Sequence, residues 1–234
     1  MFAFDRFAAL TFDCYGTLID WETGILDALR PIFAAHGVDI AGEELLEGYA
    51  TAEAAAEAGP YRPYRQVLRE VLAELAARYG FEPSQDELAT FAESVGDWPA
   101  FPDSADALAA LKRRFRLAVV TNCDDDLFAR SNARLGVTFD AIVTAQQARA
   151  YKPALAPFEL AFDRLALPRE RVLHVAQSLY HDHVPAKRLG ITTVWVNRRH
   201  GRPGTGATPP AEAAPDLIVP DMRSLAELAL TPAS

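Results

Sequence analysis

Four apolar runs in this chain end on polar residues able to take part in one reaction. Asp13 closes the run Phe7 to Phe12, and Thr121 with Asn122 follows Leu117 to Val120. Lys152 stands in Tyr-Lys-Pro after Ala141 to Thr144, and Gln177 to Asp182 follows Val172 to Ala176. A lysine near two carboxylates, Asp13 and Asp182, keeps Asp13 ionised and in place. Thr17 and Thr121 offer hydroxyls that can orient it. Taken alone, Asp13 reads equally well as a turn residue capping its own loop; the four polar strand ends together carry the argument.

The elements that position these groups follow from periodicity. Phe7 to Phe12 reads as a short buried strand, and Gly16 allows the tight turn behind Asp13. In an open α/β sheet, ligands bind at the carboxyl ends of the strands. Residues 21 to 95 show helical spacing and no strand. Gly24 to His36, Glu43 to Ala58, Tyr64 to Tyr79 and Ser84 to Val95 make four helices. From about residue 96, helix and strand alternate, with strands at 117–120, 141–144, 172–176, 192–196 and 217–219. This predicts a Rossmann-like parallel sheet with helices on both faces, an α/β fold carrying a small inserted helical bundle. The expected division is 1–18 with 96–234 for the core and 19–95 for the insertion. Arg198 to Pro215, rich in Gly and Pro, reads as a surface loop. The acidic run Asp124 to Asp126 is expected to cap the helix that follows it.

The chain has 234 residues, half of them hydrophobic, and a formal net charge of −9. That charge argues against nucleic acid or an anionic membrane as partner, since either needs a basic face. An anionic small substrate would need a local positive cluster. Two cysteines, Cys14 and Cys123, are too few for a disulfide framework, and no signal or membrane-spanning run is visible, so a cytoplasmic location is expected.

Phe-Asp-Cys-Tyr-Gly-Thr, Val-Val-Thr-Asn, Tyr-Lys-Pro and His-Val-Ala-Gln-Ser-Leu-Tyr-His-Asp, in that order, resemble the four motifs of the haloacid dehalogenase superfamily. The helical insertion after the first motif resembles that superfamily's cap. Most members are Mg²⁺-dependent phosphatases, and two departures bear on the activity. Tyr15 stands where the phosphatases carry a second Asp that protonates the leaving oxygen, and a phenol is a poor acid at neutral pH. Gln177 stands where a metal-binding acid is expected, which weakens a hard-cation site.

The resemblance then points to the 2-haloacid dehalogenase branch, which needs no metal or other cofactor. It implies attack by Asp13 on C2 of a short 2-haloalkanoic acid, loss of halide, and hydrolysis of the aspartyl ester to the 2-hydroxy acid. Thr17 and Thr121 would also orient the substrate carboxylate, and Asn122 would help hold the halide. Asp182 would position or deprotonate the water, with His181 as the weaker rival. Tyr15, Gln177 and His181 are further substrate-side candidates. The branch carries an arginine early in its cap, yet Glu43 to Ala58 contains none; Arg62 and Arg65, at the start of the next helix, are the candidates to supply that charge. A homodimer is usual among similar enzymes. The alternatives are a Mg²⁺-dependent phosphatase of the same fold and a silent member that binds a small anion.

Overall fold

Six short apolar segments form one parallel sheet in the order β3-β2-β1-β4-β5-β6, in a computed structural model that describes residues 2–231. The strands are β1 (Ala9–Phe12), β2 (Arg116–Thr121), β3 (Ala141–Thr144), β4 (Val172–Ala176), β5 (Thr192–Val196) and β6 (Leu217–Val219). β1 and β4 are buried along their whole length, as expected for strands covered by helices on both faces. Phe12 is level with Val119 on one side and Val175 on the other. Asp13 therefore emerges between the exits of β2 and β4, where the strand order reverses and an open sheet leaves a crevice.

Four helices follow β1: α1 (Trp21–Ala35), α2 (Gly42–Glu57), α3 (Tyr64–Arg78) and α4 (Gln85–Glu93). α3 turns Val67, Leu68, Val71, Leu72 and Leu75 inward, all without exposure, and α2 opposes them with Leu45, Leu46 and Tyr49. This is the apolar stripe that helical spacing predicts. Asp20 caps α1, and Ser84 with Glu87 forms a capping box on α4. α4 ends at Glu93 rather than Val95, because Ser94–Asp97 tightens into a 3₁₀ turn.

The remaining helices are α5 (Ser104–Lys112), α6 (Asp125–Leu135), α7 (Ala145–Ala148), α8 (Ala156–Leu165), α9 (Val184–Arg188) and α10 (Met222–Leu230). A π-helical turn, Leu179–His183, precedes α9 and turns His181 and Asp182 into the protein. The acidic run does not cap α6 as expected. The Asp124 carboxylate accepts no bond from α6; it receives the backbone N–H groups of Tyr64 (2.8 Å) and Arg65 (3.2 Å) at the start of α3. Asp125 instead accepts the Thr144 hydroxyl at 2.6 Å. No helix among the described residues is long and apolar enough to cross a membrane.

Candidate active site

Asp13 is held through both carboxylate oxygens. Its backbone N–H continues the sheet by donating to Val175 O at 3.0 Å. Oδ1 accepts Lys152 Nζ at 2.8 Å, and Oδ2 accepts the Thr17 hydroxyl at 2.6 Å. Gly16, at φ +92°, makes the turn that brings Thr17 back, a backbone angle that side-chain-bearing residues resist. Thr17 Oγ1 in turn accepts the backbone N–H of Gln177 at 2.9 Å. The first and last motifs are thus tied through one hydroxyl.

Lys152 is 1% exposed and spends its three N–H donors on Asp13, Val120 O (2.9 Å) and Asp182 Oδ1 (2.8 Å). Burial alone would lower its pKa, but the two carboxylates outweigh it and raise it. Asp182 Oδ1 also meets His174 Nε2 at 3.0 Å, and Thr11 Oγ1 holds the other ring nitrogen at 2.9 Å. Burial would raise the Asp182 carboxyl, yet Lys152 and His174 hold it well below the usual carboxylate range. Asp13 moves the other way: burial and the Asp182 charge raise it against the pull of Lys152 and Thr17. The two acids share one ammonium and titrate as a pair.

These groups floor a cavity of about 20 Å³, room for about one water. Tyr15, Trp21, Tyr64, Glu53 and Glu57 wall it. Glu57 and Lys152 also line a cavity of about 420 Å³ outside it, with Tyr61, Arg149 and Tyr180. Phe158 lies in the core against His174.

Several expected roles change. Asn122 spends both amide hydrogens, on Lys152 O (3.0 Å) and Glu57 Oε2 (3.1 Å), and its Oδ1 accepts the Lys152 backbone N–H at 2.8 Å. It fixes its neighbours and has no free donor for a halide. The Tyr15 ring lines the cavity, but its hydroxyl turns away to Ser131 Oγ (3.0 Å) and Cys123 Sγ (3.3 Å). The Gln177 side chain leaves the cavity, its Oε1 accepting the Thr208 hydroxyl at 3.3 Å; the residue contributes its backbone N–H. Thr121 Oγ1 is buried without a partner among the described residues, so it does not orient Asp13, which Thr17 and Lys152 already hold.

Arg62 and Arg65 do not supply the cap's positive charge. Arg62 pairs with Glu70 and donates to Ala56 O at 2.7 Å. Arg65 sits between Glu93 (2.5 Å) and Asp126 (2.7 Å). Carboxylates capture both guanidinium groups outside the cavity, Glu70 on the same helix for Arg62, and Glu93 and Asp126 from other elements for Arg65.

Sequence reasoning missed three residues. Glu53 and Glu57 continue the buried row of Tyr49 at steps of four on α2, the one pattern that marks them as inward. Glu53 accepts the hydroxyls of Tyr49 (2.7 Å) and Tyr64 (2.5 Å), and burial raises its carboxyl to about 7. Burial raises Glu57 well above the usual range. Arg198, assigned to a surface loop, donates to Thr17 O at 2.9 Å and pairs with Asp103, bracing the turn behind Asp13.

A magnesium ion does not fit this donor set. Hard cations need several oxygens converging on one point. Here the ammonium of Lys152 bridges the two carboxylates, and among the described residues no three His, Cys, Asp or Glu side chains cluster to hold a metal.

A carboxylate at the end of the central strand, a hydroxyl four residues on, and a lysine bridging to a second carboxylate complete the arrangement that the motifs imply. A family model for haloacid dehalogenase-like hydrolases matches residues 7–189. The chain belongs to that family. It is 29% identical over 192 residues to the (S)-2-haloacid dehalogenase of Xanthobacter autotrophicus, covering 81% of this chain and 75% of that one. It is 26% identical to haloacetate dehalogenase H-2 of Moraxella sp. (strain B), over 95% and 98% of the two chains. The solved structure of the Xanthobacter autotrophicus L-2-haloacid dehalogenase with chloropropionic acid covalently bound superposes with a TM-score of 0.80. That pair is 25% identical, over 97% of this chain and the whole of that one. This haloacid dehalogenase-like hydrolase therefore keeps both the fold and the order of the four motifs.

Proposed function

We propose that the protein hydrolyses the carbon–halogen bond of short 2-haloalkanoic acids to 2-hydroxy acids, without a metal, through an ester on Asp13. The observation that carries this reading is Lys152 bridging Asp13 and Asp182, with every ammonium proton engaged. The bridge keeps a lone carboxylate ionised for attack on carbon and engages one oxygen of each of the two acids. The Tyr15 hydroxyl, bound to Ser131 and Cys123, gives no proton to a leaving oxygen, and a halide needs none.

In this mechanism an Asp13 oxygen forms a bond to C2 from the side opposite the halogen, and the halide leaves with the bonding pair. Thr121 Oγ1, buried and without a partner among the described residues, donates to the substrate carboxylate. Water then attacks the ester carbonyl on Asp13. Asp182 Oδ2, also buried without a partner, accepts a hydrogen bond from that water and orients it. The 2-haloacid dehalogenases named above support this substrate class.

The test is halide release from fluoro-, chloro- and bromoacetate and both 2-chloropropionate enantiomers, with and without EDTA. Release that EDTA leaves unchanged, that Asp13→Asn abolishes, and that places ¹⁸O from labelled water in the Asp13 carboxyl is expected. Magnesium-dependent phosphate release with no halide from any acid would overturn the reading.

A further inference from the structure

The cavity contains no charged donor left to receive a departing halide. Lys152 is the one Lys or Arg side chain lining it among the described residues, and its three protons are taken. Asn122 has spent both amide hydrogens. A leaving anion in a closed, poorly solvated site needs donors, because it sheds its water as the bond breaks.

Besides Asp182, two side chains lining the cavity, Glu57 and His181, each carry a buried polar atom with no partner among the described residues. The Glu57 side chain is 5% exposed, and its Oε1 is buried with no partner among the described residues. Its Oε2 accepts from Asn122 Nδ2, which marks Oε2 as the carbonyl oxygen and leaves the proton on Oε1. Burial and the charge of Glu53 raise this carboxyl well above the usual carboxylate range, which favours the protonated form.

The His181 side chain is 8% exposed, and its Nε2 is likewise unpartnered. Ser178 Oγ accepts the His181 backbone N–H at 2.9 Å and lies 3.1 Å from Nδ1. With the Ser178 hydroxyl donating to Nδ1, the ring hydrogen stands on Nε2. Burial lowers the imidazole to about 4, so the ring is uncharged at neutral pH. Nε2 lies 4.0 Å from Glu57 Oε2, and both side chains line the cavity that Asp13 floors. Buried donors without acceptors are costly, and two side by side mark a place where an acceptor belongs.

We propose that the Glu57 carboxyl and the His181 Nε2–H together receive the departing halide, Glu57 standing on α2, the cap helix that carries no arginine. The assignment rests on the dehalogenase reading above. The bond from Asp13 to C2 forms as the carbon–halogen pair leaves with the halide, which then accepts the two hydrogen bonds. Glu57 keeps its proton. One water is consumed overall, and the products are the 2-hydroxy acid, the halide and one proton. Because the donors are neutral, the site works only while Glu57 stays protonated.

The test is kcat/KM for bromo-, chloro- and fluoroacetate from pH 6 to 10 in the wild type, Glu57→Gln and Glu57→Leu. Glu57→Gln keeps the shape and an N–H donor at every pH. It is expected to stay within about 5-fold of wild type at pH 7 and to lack the wild type's alkaline decline. Glu57→Leu removes the donor, and losing one hydrogen bond to an anion is expected to cost about 10- to 100-fold. That loss should grow from bromide to chloride to fluoride, as the leaving charge becomes denser. Equal losses for all three halogens would place Glu57 on another part of the substrate, and unchanged profiles in both variants would remove it from the reaction; either result overturns the assignment while the Asp13 reaction stands. No halide from the wild type with any acid would overturn both.

Discussion

The Asp124 carboxylate, leaving the end of β2, accepts the backbone N–H of Tyr64 at the first turn of α3, 2.8 Å away. A core loop thereby caps a helix of the inserted bundle, and Arg65 N–H donates to its second oxygen at 3.2 Å. α3 begins after Pro63 with no side-chain cap of its own, so Asp124 supplies what the local sequence lacks. Tyr64, placed in this way, lines the cavity above Asp13 and bonds Glu53.

Asp124→Ala is expected to destabilise the fold by about 1–2 kcal/mol, since two N–H groups lose a buried acceptor. Asp124→Asn, which retains one acceptor oxygen, should lose about half of that. Urea unfolding of the two variants measures the difference, and equal midpoints for wild type and Asp124→Ala would refute the cap.

Much of this site is legible in the sequence because it lies at the ends of apolar strands. β1, β2, β3 and β4 are short runs that end on Phe12, Thr121, Thr144 and Ala176, and parallel pairing brings those ends to one edge of the sheet. What could not be read depends on which partners the fold brings to each side chain. Arg62 and Arg65 carry the right charge in the right segment, but Glu70, Glu93 and Asp126 claim them. Glu57 shows as inward only once α2 is phased on Tyr49. The inward turn of His181 and Asp182 comes from the π-helical step at Leu179–His183, and its sequence carries no distinctive sign.

Tyr15→Phe should leave halide release within about 3-fold of wild type. The hydroxyl it removes contacts Ser131 and Cys123 behind the cavity, and the ring wall remains. Loss of this buried hydrogen bond is expected to cost about 1 kcal/mol of stability. Turnover slowed by about two orders of magnitude, with the fold intact, would give the phenol a chemical role that its orientation here denies.

Lys152→Ala removes the ammonium between two buried carboxylates. It is expected to abolish measurable turnover near neutrality and to cost about 3–5 kcal/mol of stability, because breaking a buried pair strands its partners. The direction of the pH response follows from Asp13. Attack requires the ionised carboxylate, so wild-type kcat/KM rises as pH rises through the Asp13 pKa, which burial already raises and Lys152 restrains. Without the lysine that acid limb should move to higher pH for any residual activity. Lys152→Arg tests the same point with charge retained, and an acid limb unmoved in Lys152→Ala would show that the ammonium does not govern Asp13.

Glu53 gives the fold a pH dependence opposite to that of an ordinary paired carboxylate. Burial raises its carboxyl from the usual 4.5 to about 7, although the Tyr64 and Tyr49 hydroxyls both favour the charged form. The folded chain therefore holds this proton more tightly than the unfolded chain does. The resulting stabilisation is complete below pH 4.5 and is lost progressively as pH rises to about 7. Over that interval, at about 1.4 kcal/mol per pH unit, the change is roughly 3 kcal/mol. Glu53→Gln still accepts both tyrosine hydroxyls and does not titrate. Its stability relative to wild type should therefore improve by roughly 3 kcal/mol between pH 4.5 and 7 and stay level above that. Denaturant unfolding of the two proteins across pH 4.5 to 8.5 measures this difference. Parallel curves would mean that Glu53 is ionised in the folded protein throughout, and that the pair of tyrosines outweighs its burial.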